Sequence, residues 1–174
     1  METDIFTNQL SLGIEHAIRA HQSFPRSPEK AVRFWDHKTP YVVHPILASA
    51  LLLAEITLPD SIREPGFLAL LWHDTLEDTT LPLPAQTSAQ VKALVVEMTF
   101  DSFDEECEKL WNRGNTTKLL KLYDKVSNLL DNAWRTPERW NKQVRHAERL
   151  TDWVEENFGP LNIVKIARAV IHYR

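Results

Sequence analysis

FLALLWHDTLED, at positions 67–78, is the most informative stretch of the sequence, because six apolar residues run directly into a segment with four ionisable side chains. Helical spacing predicts that His73 stacks on Glu77 and Asp74 on Asp78. The carboxylates of Glu77 and Asp78 would then lie in the last turn of the helix, where the helix dipole disfavours negative charge. A divalent cation would reverse this penalty, whereas solvent at an exposed helix end would only make it small. For this stretch we favour the metal site.

The segments on either side of this stretch also have helical periodicity, and none alternates as a strand would. Helices are predicted at residues 7–20, 45–56, 65–78, 89–99, 116–134 and 137–157, and from Pro160 onward. Residues 23–40 contain three prolines and are predicted to be irregular, apart from a short helical turn within 28–34. No linker or repeat divides the chain. The sequence therefore predicts an all-α fold in a single domain, residues 1–174.

The composition limits the class of function. The chain has a net charge of −4 and no basic stripe of the kind that nucleic-acid binders carry. The N-terminus lacks the basic start and apolar core of a signal peptide, and the longest apolar run is far shorter than the roughly 20 residues that span a bilayer. We expect a cytoplasmic protein with a small-molecule substrate and with neither nucleic acid nor membrane as a partner. The oligomeric state stays open, a homo-oligomer included.

Two further candidates for metal binding are ambiguous by pattern alone. His44 precedes Pro45, which favours extended geometry and puts His44 at the mouth of an apolar helix. Taken alone, this position favours a histidine that caps the helix. Asp124 lies with Lys121 and Asn128 opposite the apolar stripe of its helix, so a solvated face is the default interpretation. Neither residue is assigned as a ligand by its spacing.

Three ordered motifs are more specific: YVVHP at 41–45, HDTLED at 73–78 and KLYDKVSN at 121–128. In this order they resemble the HD-domain superfamily. More narrowly, most of the chain is similar to the hydrolase domain of the Rel/Spo stringent-response family and its small single-domain relatives. The resemblance implies an HD-type helical bundle with a metal site between the central helices.

The resemblance also implies roles for individual residues. The metal ligands are His44, His73, Asp74 and Asp124. The pair Glu77 and Asp78 orients and deprotonates the attacking water, and Asn128 contacts the sugar of the substrate. Two imidazoles and two carboxylates favour a divalent ion such as manganese over a metal that prefers thiolates.

The basic residues that hold the substrate in this family are only partly matched. At the shorter family spacing, Trp35 and Asp36 stand where an Arg-Lys pair is expected, and at the longer spacing Arg33 is followed by Phe34. The acidic run DSFDEECE follows the 89–99 helix, and Leu130 replaces a common arginine. We assign Arg33 and Lys121 to substrate binding. Other cations, which solvated helix faces explain equally well, are Lys38, Lys118 and Lys125.

These observations predict a metal-dependent phosphohydrolase that acts on a nucleotide, and the resemblance makes (p)ppGpp, cut at its 3′-pyrophosphate, the leading substrate. One alternative is the same chemistry on another nucleotide or a small phosphoester. Another is a metal-containing regulatory or binding module, which would have no need of the pair Glu77 and Asp78. A Cys-His hydrolase based on Cys107, the only cysteine, is disfavoured because its acidic surroundings raise the pKa of the thiol.

Overall fold

The computed structural model describes residues 3–131 and 136–172, with side chains from residue 8 onward. Within these ranges there is no β-strand, only two isolated β-bridges. The helices are α1 (Thr3–Ser23), α2 (Val43–Leu53), α3 (Asp60–Trp72), α4 (Thr75–Asp78), α5 (Ala89–Met98), α6 (Phe103–Lys109), α7 (Asn115–Leu130), α8 (Pro137–Phe158) and α9 (Asn162–His172). Single 3₁₀ turns lie at Pro28–Lys30 and Leu110–Asn112. The prediction of an all-α fold is confirmed.

The bundle is built around α7. Helices α2, α3, α5, α8 and α9 all pack against it, so α7 is buried on nearly every side. The apolar stripe of α7 joins one core that extends from Ala17 in α1 to Ala167 in α9. The polar face of α7 is also inside the protein, and its charged side chains therefore need partners there. This face forms one wall of the site described below.

The helix predicted across residues 65–78 is in fact two helices. It begins earlier than predicted, at Asp60, whose carboxylate suits the first turn, and Pro65 follows close to that start. Helix α3 ends at Trp72, and Asp74 has φ −86° and ψ −6°, outside regular helical geometry. The prediction of a continuous helix is wrong, and so is the argument that its last turn carries the acidic pair. The break instead turns the side chains after Trp72 toward the interior.

The other helix boundaries agree with the sequence to within a few residues. Helix α2 begins at Val43, so His44 lies inside its first turn, and the prediction that His44 precedes the helix is wrong. Pro45 is tolerated there because the first amides of a helix have no intrahelical acceptor. Ser88 caps α5 by accepting a hydrogen bond from Val91 N, as its position predicted. The predicted end of the 116–134 helix lies outside the described residues.

The irregular segment 23–40 is fastened to two sides of the bundle. Near its start, the backbone N–H of Arg26 donates to the carbonyl of Asp78 at 2.8 Å. Further along, the guanidinium of Arg33 forms a 3.0 Å ion pair with Asp131 at the end of α7. The segment therefore borders the break between α3 and α4.

Candidate active site

Three of the predicted metal ligands converge from separate elements. The Nε2 atoms of His44, on α2, and His73, after α3, lie 3.3 Å apart. Oδ1 of Asp124, on α7, is 3.3 Å from the first and 3.4 Å from the second. All three side chains are buried. Donor atoms at about 2.0–2.2 Å from one ion lie roughly 3 Å from one another, so a single divalent cation fits this spacing.

The fourth predicted ligand, Asp74, closes the group from the break between α3 and α4. Its Oδ1 lies 3.1 Å from Nε2 of His73, and its Oδ2 lies 3.3 Å from Nε2 of His44. The hydroxyl of Tyr41 donates to Oδ2 of Asp74 at 2.8 Å, which fixes the orientation of the carboxylate. All four side chains implied by the resemblance are therefore adjacent.

The outer nitrogens of the two imidazoles are already engaged. Nδ1 of His73 lies 2.7 Å from the carbonyl of Leu70, which only accepts hydrogen bonds, so this nitrogen carries a proton. The hydroxyl of Ser127 donates its proton to the carbonyl of His44. Oγ of Ser127 can therefore accept a hydrogen bond from Nδ1 of His44, which lies 2.8 Å away. In their neutral forms, both imidazoles would thus direct an unprotonated Nε2 toward the carboxylates. Lone pairs converge with no proton between them, and this arrangement fits a bound cation.

The electrostatics at this point also favour a positive charge. Burial lowers the pKa of His73, but the charges of Asp74 and Asp124 outweigh it and raise the pKa well above its usual value. Burial raises the pKa of Asp124, but Lys125 and Lys121 outweigh it and lower that pKa well below its usual value. The carboxylates therefore remain ionised and attract either a proton or a cation.

The predicted acidic pair lies beside this group, at the end of α4. Glu77 is half-buried, and its Oε1 accepts a hydrogen bond from Phe100 N at 2.9 Å. Burial, and then the charge of Asp74, raise the pKa of Glu77 to about 7. Oδ1 of Asp78 forms a 2.7 Å ion pair with Lys30. The pKa of Glu77 lets its carboxylate accept protons efficiently near neutral pH.

Both groups open into one cleft, which also contains basic side chains. Its lining includes Lys30, Tyr41, Asp74, Glu77, Asp78, Phe100, Asp101, Ser102, Phe103, Glu106, Lys121, Asp124, Lys125, Asn128, Arg139 and Gln143. Sequence analysis assigned no role to Lys30, Arg139 or Gln143, which lie outside the three ordered motifs. The spacing of Arg139 and Gln143 does put them on one face of a helix, but only the packing of α8 against α7 turns that face toward the cleft.

The two cleft lysines of α7 belong to a buried charge network. Nζ of Lys121 lies 2.9 Å from Oε2 of Glu106 and 3.1 Å from Oδ2 of Asp124. Nζ of Lys125 lies 2.8 Å from Glu106 and 3.2 Å from the same Asp124 oxygen. Asp124 thus directs Oδ1 to the histidines and Oδ2 to the lysines. Nδ2 of Asn128 donates to Oδ1 at 2.6 Å, next to the candidate ligands.

The remaining candidates lie elsewhere. Arg33 is only 3% exposed and does not line the cleft; it lies behind it, over the ring of Tyr41 and paired with Asp131. Lys118 lies over the ring of Trp153 at 4.4 Å. The thiol of Cys107 is partly buried, and its pKa is raised by burial and by the charge of Glu106, which suppresses the reactive thiolate.

Comparisons with known proteins agree with this geometry. No family model matches the chain. The chain is 32% identical over 144 residues to the guanosine-3′,5′-bis(diphosphate) 3′-pyrophosphohydrolase MESH1 of Homo sapiens, an alignment that covers 77% of this chain and 75% of the relative. It is 34% identical over 118 residues to the MESH1 protein of Drosophila melanogaster, with 62% and 64% covered.

A solved structure, described as that of a metazoan ortholog of SpoT that hydrolyzes ppGpp and plays a role in starvation responses, superposes with a TM-score of 0.70. It is 24% identical to this chain, and the superposition covers 95% of each chain. The two proteins share the fold.

No helix in residues 3–131 and 136–172 is both long and apolar enough to cross a membrane.

Proposed function

The chain belongs to the family of guanosine-3′,5′-bis(diphosphate) 3′-pyrophosphohydrolases named MESH1, and from this premise we propose that it hydrolyses the 3′-pyrophosphate of (p)ppGpp in a metal-dependent reaction. The resemblance to Rel/Spo-type HD hydrolases that the motifs indicated is confirmed by these relatives. One observation carries the proposal: two imidazoles and two carboxylates converge beside Glu77, the half-buried acid of the same cleft.

We assign the metal ligands to His44, His73, Asp74 and Asp124. The chemistry of this donor set suits a divalent ion, with manganese as our specific proposal. Such an ion, when bound, lowers the pKa of a water molecule and neutralises charge on phosphoryl oxygens. The protein itself holds the four donors through buried contacts from α2, α3 and α7.

The acidic pair performs the proton transfer in this proposal. Glu77 is anchored through Oε1 by the amide of Phe100, and we assign Oε2 as the atom that takes the proton from the attacking water. Burial, and then the charge of Asp74, raise the pKa of Asp78, and Lys30 opposes this shift through its 2.7 Å ion pair. We assign Asp78 to orient the same water. General-base catalysis of this kind contributes roughly 10²–10⁴-fold to rate.

Substrate contacts are proposed for both walls of the cleft. Asn128, one helical turn after Asp124, is our contact for the ribose, and Lys121 is our contact for phosphate. Lys30 and Arg139 add positive charge at the rim of the cleft. They replace part of the positive charge for phosphate binding that the motifs lack. The assignment of Arg33 to substrate binding stays a prediction. A direct contact with the substrate would require Arg33 to leave its ion pair with Asp131.

The experiment is a comparison of Glu77→Gln with the wild-type protein, both loaded with Mn²⁺, in which pyrophosphate and phosphate release from ppGpp are measured separately. The variant keeps the shape but removes the proton acceptor, so kcat should fall roughly 10²–10⁴-fold while bound metal is unchanged. Glu156→Gln, an exposed position on α8, is the matched control and should retain full activity. Normal turnover by Glu77→Gln would refute the assigned role.

Several finer statements remain proposals. We propose that residues 1–174 act as one catalytic domain, which the continuous core from α1 to α9 supports. A cytoplasmic location and the lack of a nucleic-acid partner stay predictions, and the oligomeric state, a homo-oligomer included, stays open. Hydrolysis of a different nucleotide remains the alternative, because Glu106 and Asp101 contribute negative charge to the cleft.

A further inference from the structure

Glu106 holds an unusual position in the cleft wall. It is 4% exposed, and its carboxylate lies 2.8–2.9 Å from the ammonium groups of both Lys121 and Lys125. Nε2 of His146 lies 3.1 Å from the same carboxylate. Burial raises the pKa of Glu106, but the two lysines outweigh it and hold the pKa well below its usual range. The residue is therefore an anion bound between two cations.

The lysine pair has the properties of a phosphate subsite. Both ammonium groups line the cleft, and both lie 3.1–3.2 Å from Oδ2 of Asp124, whose other oxygen faces the candidate metal site. They come from one helix and are one turn apart, so their separation is fixed by α7. Two such ammonium groups match the oxygens of a phosphate, which binds lysines as point charges.

The carboxylate of Glu106 is one of the contacts that attach helix α6 to the bundle. Within α6, Glu106 is the one buried residue, so no apolar side chain of the helix is fully inserted into the core. Other contacts at this surface include Lys142 with Asp104 and the ring of Phe103, whose centroid lies 5.5 Å from that of His146 and 5.5 Å from Nζ of Lys125. Displacement of Glu106 would therefore expose little apolar surface, and its unfavourable part would be electrostatic.

We propose that Lys121 and Lys125 form a phosphate-binding site of the cleft, which the carboxylate of Glu106 occupies in the substrate-free protein and leaves when a phosphate group of the substrate enters. The assignment of that phosphate to a nucleotide rests on the proposed function, whereas the site itself can be tested without turnover. One carboxylate leaves the lysines, and one phosphate group, which carries at least as much negative charge, takes its place. Helix α6 is released at the same time.

The probe is inorganic pyrophosphate, titrated calorimetrically into Mn²⁺-loaded protein after free metal has been removed. Glu106→Gln keeps a hydrogen-bond acceptor but frees the lysines from the competing charge, so the Kd for pyrophosphate should fall about tenfold. Asp101→Asn is the control, since it removes one negative charge from the same cleft, and Asp101 itself is exposed. Its effect should stay below about twofold because salt screens exposed charges. Equal effects of the two variants, or weaker binding by Glu106→Gln, would overturn the proposal.

Hydrogen exchange of the wild-type protein gives a second test that does not depend on how any variant folds. Saturating pyrophosphate should accelerate amide exchange in α6, residues 103–109, and leave α7 protected. Unchanged or slower exchange in α6 would show that Glu106 is not displaced. If both tests succeed but ppGpp is not hydrolysed, the proposed function fails and the anion site stands. If ppGpp is hydrolysed but neither test succeeds, only the anion site fails.

Discussion

Tyr41→Phe tests whether contacts outside the four donors set the affinity of the metal site. The hydroxyl of Tyr41 donates to Oδ2 of Asp74 at 2.8 Å. Burial, and then the charge of Asp74, raise the pKa of Tyr41 well above its usual value, so the donor proton is retained. A hydrogen bond to a charged group contributes about 1.5–3 kcal/mol. Loss of an outer contact of this kind weakens metal binding about 10–100-fold, which is the same range of free energy.

The assay is competition for Mn²⁺ against a fluorescent chelator at pH 7, from which the Kd of each protein is obtained. The Kd of Tyr41→Phe should rise about 10–100-fold relative to wild type. The matched control is Tyr123→Phe: Tyr123 is fully buried next to Asp124, but its hydroxyl has no hydrogen-bond partner among the described residues. The Kd of this control should stay within about twofold of wild type. An unchanged Kd for Tyr41→Phe, or an equal change in both variants, would refute the reasoning.

Three further predictions concern the bound metal, His21 and Arg33. Mn²⁺ at about 100 times its Kd should stabilise the folded protein by about 2.7 kcal/mol, seen as a higher Tm that a chelator reverses, and no shift would contradict a metal site. His21 is fully buried, and burial lowers its pKa from 6.5 to about 4, so protons bind the unfolded chain preferentially between these values. The contribution of neutral His21 to the free energy of unfolding is therefore fully present above pH 6.5 and is lost as the pH falls. Between pH 7 and pH 5, the free energy of unfolding of the wild type, measured in urea, should fall by about 2 kcal/mol more than that of His21→Phe. Parallel curves for the two proteins would exclude this role of His21. Arg33→Ala should raise KM for ppGpp with metal content unchanged, and it should also lower the free energy of unfolding by about 3–5 kcal/mol because Asp131 is left buried without its ion pair. A loss of stability without any change in KM would restrict Arg33 to a structural role.

The cluster of two imidazoles and two carboxylates was predictable from motifs but not from periodicity. The helical wheel put Asp124 on a solvated face, yet this face is buried because five helices surround α7. Its charges are tolerated there because Glu106, Lys121 and Lys125 neutralise one another and Asp124. A local pattern shows which residues share a face, but it does not show what covers that face.

The contacts between distant segments could not be predicted at all. Lys30 reaches Asp78 because segment 23–40 is fastened to the end of α4, a long-range pairing with no local signal. The break after Trp72 was missed because the apolar periodicity continues through it, and the geometry of Asp74 is set by its tertiary partners. The acidic run around Glu106 was interpreted as a loss of the positive charge that binds phosphates. In the structure, the carboxylate of Glu106 is paired with Lys121 and Lys125 inside the cleft.

The most direct test of the central claim is a phosphorus NMR assay of ppGpp with metal-stripped protein and with the same preparation after Mn²⁺ is restored. We expect no reaction by the stripped protein and, after restoration, release of intact pyrophosphate together with GDP. Loss of activity by Asp124→Ala, which removes a ligand, should accompany loss of bound metal. If the restored protein leaves ppGpp intact, or releases single phosphates in place of pyrophosphate, the proposed activity is contradicted.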